Sequence, residues 1–212
     1  MKLKIILPPA RARRVARIFL LLLGLACLGI YCYSYLYRTT YQIYEGWKFD
    51  HEAPAPVIEE RPPALPVLLP DPDHGAPAPK NSGSASVIGR ISIPRLHLSA
   101  IVEEGVDDVT LSRAVGHIPG TAFPGETGNI GVAGHRDTFF RALKDLQPND
   151  EIDFTTHSGR FRYTVESLRV VEPDNVEVLK SEGGETLTIV TCFPFQYIGN
   201  APRRFIVHAV AN

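Results

Sequence analysis

The sequence predicts a mainly β domain, a barrel or sandwich of short strands with two short helices, carried behind one membrane-spanning helix and a proline-rich linker. Three observations predict it. Ile18 to Tyr37 contains no charged residue. His51 to Ser86 holds nine of the chain's 18 prolines. From Val87 to Asn212, short runs rich in Val, Ile, Thr, Phe and Tyr are punctuated by Gly, Pro, Asn and Asp, which is the pattern of successive strands and turns.

The apolar run is long enough for a bilayer. At about 1.5 Å per residue, some 20 residues span a hydrocarbon layer roughly 30 Å thick. Lys2, Lys4, Arg11, Arg13, Arg14 and Arg17 precede it with no acid among them, so residues 1–17 are expected in the cytoplasm and everything after Tyr37 outside. Tyr31, Tyr33, Tyr35, Tyr37, Tyr41, Tyr44 and Trp47 gather at the far end, where amphipathic rings suit the headgroup level. A cleaved signal peptide is the competing reading, with Ala26-Cys27 as a small residue before a cysteine. The run continues about ten residues past Cys27, beyond the roughly 7–15 residues of a signal core, and this favours a retained anchor over 18–37.

Residues 38–86 read as a juxtamembrane segment and linker. Proline fixes φ and removes backbone donors, so this composition favours extended polyproline II, a tether rather than a docking site for a proline-reading partner. Beyond residue 17 the chain carries 16 basic against 23 acidic residues. That balance excludes nucleic acid as a partner of the main body, since such binding needs clustered Lys and Arg.

The globular core falls in 87–212. VIGRISI, LHLSAIVEE, NIGVA, EIDFTT, GRFRYTVESLRVV, TLTIVT and RFIVHAV give about seven strands. Asp108 is placed to cap a helix over VTLSRAV and Asp137 a helix over TFFRALKDL, because an Asp side chain accepts from the free amides of a first turn. Phe140, Leu143 and Leu146 recur every three residues and give the second helix a buried face.

Cys192 is the only cysteine after Cys32, and Cys27 and Cys32 lie within the expected span. An unpaired cysteine in an exported domain is a reactive thiol, half of an intermolecular bridge, or a small buried apolar residue. Strand parity sends Thr186, Thr188, Val190 and Cys192 one way and Leu187, Ile189 and Thr191 the other. Cys192 ends its strand before FPF, at a mouth where loops build pockets.

A thiol reacts as the thiolate, and a reference pKa near 8.5 leaves most free thiols protonated at neutrality unless a cation is near. His135, in NIGVAGHRDT, follows a strand and a glycine and suits acid–base work. Asp137 could orient the imidazole as well as cap a helix. Arg203 and Arg204 open the last strand, and a guanidinium there could steady a thiolate or oxyanion through its planar fork of donors. His208 shares a strand face with Arg204 and is a second, weaker acid–base candidate. No G-x-x-x-x-G-K-[ST], C-x-x-C or H-E-x-x-H occurs, so neither a phosphate loop nor such a metal site is indicated. Glu103, Glu104, Asp107 and Asp108 lack calcium-loop spacing and read as a solvated turn.

Taken together, these residues resemble the sortases, membrane-anchored cysteine transpeptidases of bacterial surfaces. The family's TLxTC signature stands here as Thr188-Ile189-Val190-Thr191-Cys192, with Ile for the usual Leu. AGHRDTFF (133–140) carries the histidine match and the RFIV segment from Arg204 the arginine match. PGETGNIGVAGHRDTFFRALKDL and TCFPFQYIGNAPRRFIVHA resemble class D sortases in particular.

The resemblance implies a closed β-barrel of about eight strands with short helices, and a single-pass protein of the bacterial cell membrane with its catalytic domain outside. It implies that Cys192 attacks the carbonyl after Thr in an LPxTG-like sorting signal, forming a thioacyl enzyme. The acyl group then passes to an amine such as a peptidoglycan precursor or a pilin lysine. His135 would give acid–base help and Arg204 would bind substrate and oxyanion. Thr191 and, more weakly, Arg203 are the further substrate-side candidates. Neither cofactor nor metal is implied. A thiol hydrolase of the same signal and an inactive interaction module are the alternatives.

Overall fold

A proline-free stretch between Pro9 and Pro54 folds as one helix, α1 (Ala10–Glu52), in a computed structural model that describes residues 10–52, 86–181, 183–197 and 199–212 of the 212-residue chain. The residue before a proline is disfavoured in a helix, so α1 ends where Pro54 begins to act. It therefore does not stop at Tyr37. Within it Arg14–His51 is long and apolar enough to cross a membrane, with a mean hydropathy of 2.3 in its most apolar window. Of the juxtamembrane segment and proline-rich linker expected over 38–86, residues 38–52 are helical and 53–85, most of the proline-rich part, lie outside the described residues. The chain divides after Tyr41 into two compact units, so the last turns of α1 belong with the C-terminal body.

That body is a closed barrel. Its strands are β1 (Val87–Ile93), β2 (Leu98–Glu104), β3 (Val115–His117), β4 (Gly128–Ala133), β5 (Glu151–Thr156), β6 (Gly159–Val171), β7 (Glu185–Phe193) and β8 (Arg203–Ala211), joined in the order β1-β2-β3-β4-β7-β8-β6-β5. Closure removes free sheet edges, which a mainly β domain of this size must manage. The period-2 alternation sends Ile130 and Val132 of β4, Leu187 and Ile189 of β7, and Val207 and Ala209 of β8 into one core, where all six are fully buried.

Two pairings are parallel, β2 with β3 and β4 with β7; the others are antiparallel. The β4–β7 pair matters most for function. Parallel neighbours end on the same side of the barrel, so the turn after Ala133 and the turn after Phe193 open side by side.

Local details depart from the sequence reading in four places. The eighth strand is β3, whose three residues are too short to register as a run and whose first, Val115, is the last residue of the VTLSRAV stretch. The helix itself, α2 (Asp108–Arg113), is capped by Asp107, whose carboxylate accepts from the amides of Val109 and Thr110; Asp108 lies in the first turn. Asp137 caps no helix. Arg141–Asp145 is a short 3-10 helix without a side-chain cap, and the three-residue repeat of Phe140, Leu143 and Leu146 is the period of that geometry rather than of an α-helix. Finally, Glu103 is fully buried and paired with Arg113 at 3.0 Å, and Glu104 meets His117 at 2.7 Å. Glu103 and Glu104 are therefore built into the protein, while Asp107 and Asp108 stay exposed, as a solvated turn requires.

Candidate active site

Cys192 occupies the penultimate position of β7, half-buried and free. Its cross-strand partner in β8 is Arg204. Directly opposed residues of an antiparallel pair share a face with Cβ atoms about 4.5–5.5 Å apart, so thiol and guanidinium leave the sheet on the same side. Arg204 is half-buried, and its Nη1 donates to the carbonyls of Ala201 and Arg203, each at 3.2 Å. Arg203 pairs with Phe193, on the other face, and its guanidinium carbon lies 5.9 Å from the centre of that ring.

The parallel partner of β7 brings the histidine. β4 runs in register with β7 to Ala133 opposite Val190, and the amide of Gly134 continues the ladder by donating to the Val190 carbonyl at 3.2 Å. His135 stands two residues beyond the last β4 pair, Ala133, and Cys192 two residues beyond its partner, Val190. The turn is held from both sides. Thr191 Oγ1 donates to the Gly134 carbonyl at 2.7 Å, and the His135 carbonyl accepts from the amide of Phe140 at 3.1 Å. Gly134 has a local reason to be glycine, since a Cβ there would come within 2.8 Å of the buried Phe140 ring. Thr191 is only 2% exposed, so its hydroxyl braces the His135 turn and does not face solvent.

The remaining candidates separate from the thiol. His208 pairs with Thr188, four positions along β7 from Cys192, which at about 3.3 Å per residue is some 13 Å away. It faces Glu166 instead, at 3.6 Å. Asp137 is exposed, and among the described residues no hydrogen bond joins it to His135. No cluster of His, Cys, Asp or Glu fit to hold a metal occurs among the described residues.

One residue that sequence reasoning passed over joins the two turns. Arg136 Nη2 donates to the carbonyls of Tyr197 and Gly199, at 2.7 and 2.9 Å, across the loop between β7 and β8. Phe195 of the same loop packs edge-on to Phe205 at 5.2 Å and to Phe193 at 6.0 Å. The signal available in the sequence was the position of Arg136 immediately after His135, in a turn that must sit beside another. The site thus offers a half-buried free thiol, an imidazole on the adjoining turn, and a fork of donors on the next strand. Those are the parts that acyl transfer through a thioester needs.

Comparison with known proteins gives consistent findings. The sortase domain family model matches residues 91–212. Sortase D of Bacillus subtilis is 34% identical over 128 residues, covering 60% of this chain and 64% of its own length, so the chain spans under two thirds of that relative. A solved Clostridium perfringens sortase D5 transpeptidase superposes with a TM-score of 0.55 at 34% identity, over 59% of this chain and 79% of that one. A lid mutant of sortase A from Corynebacterium diphtheriae superposes at 0.57 with 28% identity, covering 61% and 72%.

Proposed function

Because the chain belongs to the sortase family, we propose that it is a membrane-anchored, class D-like cysteine transpeptidase that cleaves an LPxTG-like sorting signal after Thr and passes the acyl group to an amine. The observation that carries this reading is the pairing of Cys192 with Arg204, beside the strand whose following turn holds His135.

The Cys192 sulfur, as thiolate, attacks the threonine carbonyl carbon. The carbonyl oxygen takes the negative charge, and the Arg204 guanidinium stabilises it as it forms. The C–N bond breaks, and the departing amine takes its proton from His135 as imidazolium, leaving a thioester and a neutral imidazole. An acceptor amine then attacks the thioester and gives a proton to that imidazole. The thiolate departs and an amide is formed. Splitting one difficult exchange into two acyl transfers is what a thiol does well, as nucleophile first and leaving group second. Arg204 also orients the substrate, and the α1 span retains the enzyme at the outer face of the membrane where membrane-held substrates emerge. The acceptor is a peptidoglycan precursor amine or a pilin lysine.

The test is turnover by the full chain in detergent micelles, with a quenched-fluorescence LPxTG peptide in the presence and absence of a small primary amine. Transfer to the amine supports the reading. Free acid as the sole product in saturating amine identifies a hydrolase, and no cleavage of LPxTG or LPxTA peptides by folded protein removes the enzyme reading.

A further inference from the structure

The end of α1 has two differently occupied faces. Gln42, Gly46 and Phe49, spaced by four and three residues, form one, with Gly46 and Phe49 buried. Ile43, Tyr44 and Trp47 form the other, each more than half exposed.

The buried face is fitted to the barrel. β2 and β3 begin to pair only at Val102 opposite Val115, which leaves the amide of Ile101 and the carbonyl of Arg113 just outside the ladder. The Gln42 side chain takes both: its Oε1 accepts from Ile101 N at 2.9 Å and its Nε2 donates to Arg113 O at 2.7 Å. An amide side chain has one acceptor and one donor end, so it completes the missing rung. Ile101 lies on the outer side of β2, since its neighbours Ala100 and Val102 belong to the core, yet it is 1% exposed.

Arg90 of β1 closes the other end. Its guanidinium pairs with Asp50 at 2.8 Å, donates to the Gly46 carbonyl at 2.8 Å, and lies 5.7 Å from the centre of the Phe49 ring. The Phe49 ring meets His157 at 4.7 Å. Gly46 weakens a helix interior, and its value here is proximity: a Cβ would stand 3.0 Å from Arg90 Nη2.

We propose that Gln42–Glu52 is a docking element fixed to the barrel, with Ile43, Tyr44 and Trp47 turned to the lipid headgroup region. The rings of Tyr and Trp are the side chains that favour that layer, apolar in body and polar at the edge. Residues 53–85 then connect two points on one body, because Glu52 and Ser86 both belong to the C-terminal unit. The lipid side of this inference rests on the anchor reading above; the docking does not, and neither readout below depends on turnover.

The test uses the full chain in phosphatidylcholine–phosphatidylglycerol nanodiscs. Hydrogen exchange at the Ile101 amide reports the docking, and quenching of Trp47, the chain's single tryptophan, by shallow doxyl-labelled lipid reports the headgroup contact. Ile101 is expected to exchange at least tenfold faster in Gly46→Leu and in Gln42→Ala than in the native chain, while β5 and β6 keep native rates and show the barrel folded. Equal Ile101 rates in native and variant chains overturn the docking. Trp47 quenched by aqueous iodide and not by doxyl lipid overturns the headgroup contact.

Discussion

Two adjacent arginines, Arg203 and Arg204, differ by a single position in β8, and the pleat turns that difference into opposite faces. Only Arg204 shares a face with Cys192, so only its planar fork can meet charge developing on a substrate bound there. Arg204→Ala is expected to lower kcat/KM by about 10²- to 10³-fold, the loss typical of one oxyanion donor. Arg204→Lys should recover little, because a point charge lacks the paired geometry. Arg203→Ala should stay within about twofold, as for an exposed position outside the site. Steady-state kinetics with one peptide checks all three, and equal losses at the two arginines would contradict the assignment. Much at this scale was legible in sequence: parity along TLTIVTC anticipated the face that Cys192 shares with Val190, Thr188 and Thr186. The roles of Thr191 and Glu103 were not legible, because the first is decided by a partner far away in the chain, Gly134, and the second by burial that a local pattern does not reveal.

At the scale of elements, the site depends on two turns that meet because β4 and β7 are parallel and in register. Arg136 bridges those turns through two carbonyls of the β7–β8 loop. Arg136→Ala is expected to raise KM more than it lowers kcat and to speed hydrogen exchange in 194–202, while the melting temperature stays within a few degrees of native. A fall in kcat alone, with unchanged loop exchange, would show that Arg136 acts on the chemistry and does not position the loop. Seven of the strands were readable because their β-branched residues alternate over five or more positions. β3 was not, since three residues cannot show a period, and its place between β2 and β4 is fixed by long-range pairing. The 3-10 geometry at Arg141–Asp145 was written in the spacing of Phe140, Leu143 and Leu146, but a period of three is hard to tell from 3.6 over so short a run.

For the whole molecule, closure of the barrel relies on seams that include a charged contact between Arg95, after β1, and Asp150, before β5. The Arg95 guanidinium holds the Asp150 carboxyl below its ordinary range, helped by the Gln147 amide and opposed by partial burial. A group whose folded pKa is depressed stabilises fully above its unfolded value, about 3.9, and loses that contribution as pH falls through the folded value. Asp150→Asn should therefore lower the melting temperature at pH 7 and narrow the gap to native as pH drops below about 4; a gap constant from pH 7 to pH 3 would contradict it. The long apolar helix and the mainly β barrel followed from composition and patterning. The helix continuing to Glu52 did not, because the tyrosines and charges after Tyr37 obscure the apolar signal while the absence of proline decides the conformation. The central claim, that Cys192 carries the acyl group, is tested most directly by intact-protein mass spectrometry of the full chain in detergent with LPxTG and LPxTA peptides. The account predicts a mass increase equal to the peptide fragment ending in Thr, located on Cys192, absent in Cys192→Ala and discharged by a primary amine; an adduct that persists in Cys192→Ala, or no adduct while peptide is still cleaved, would contradict it.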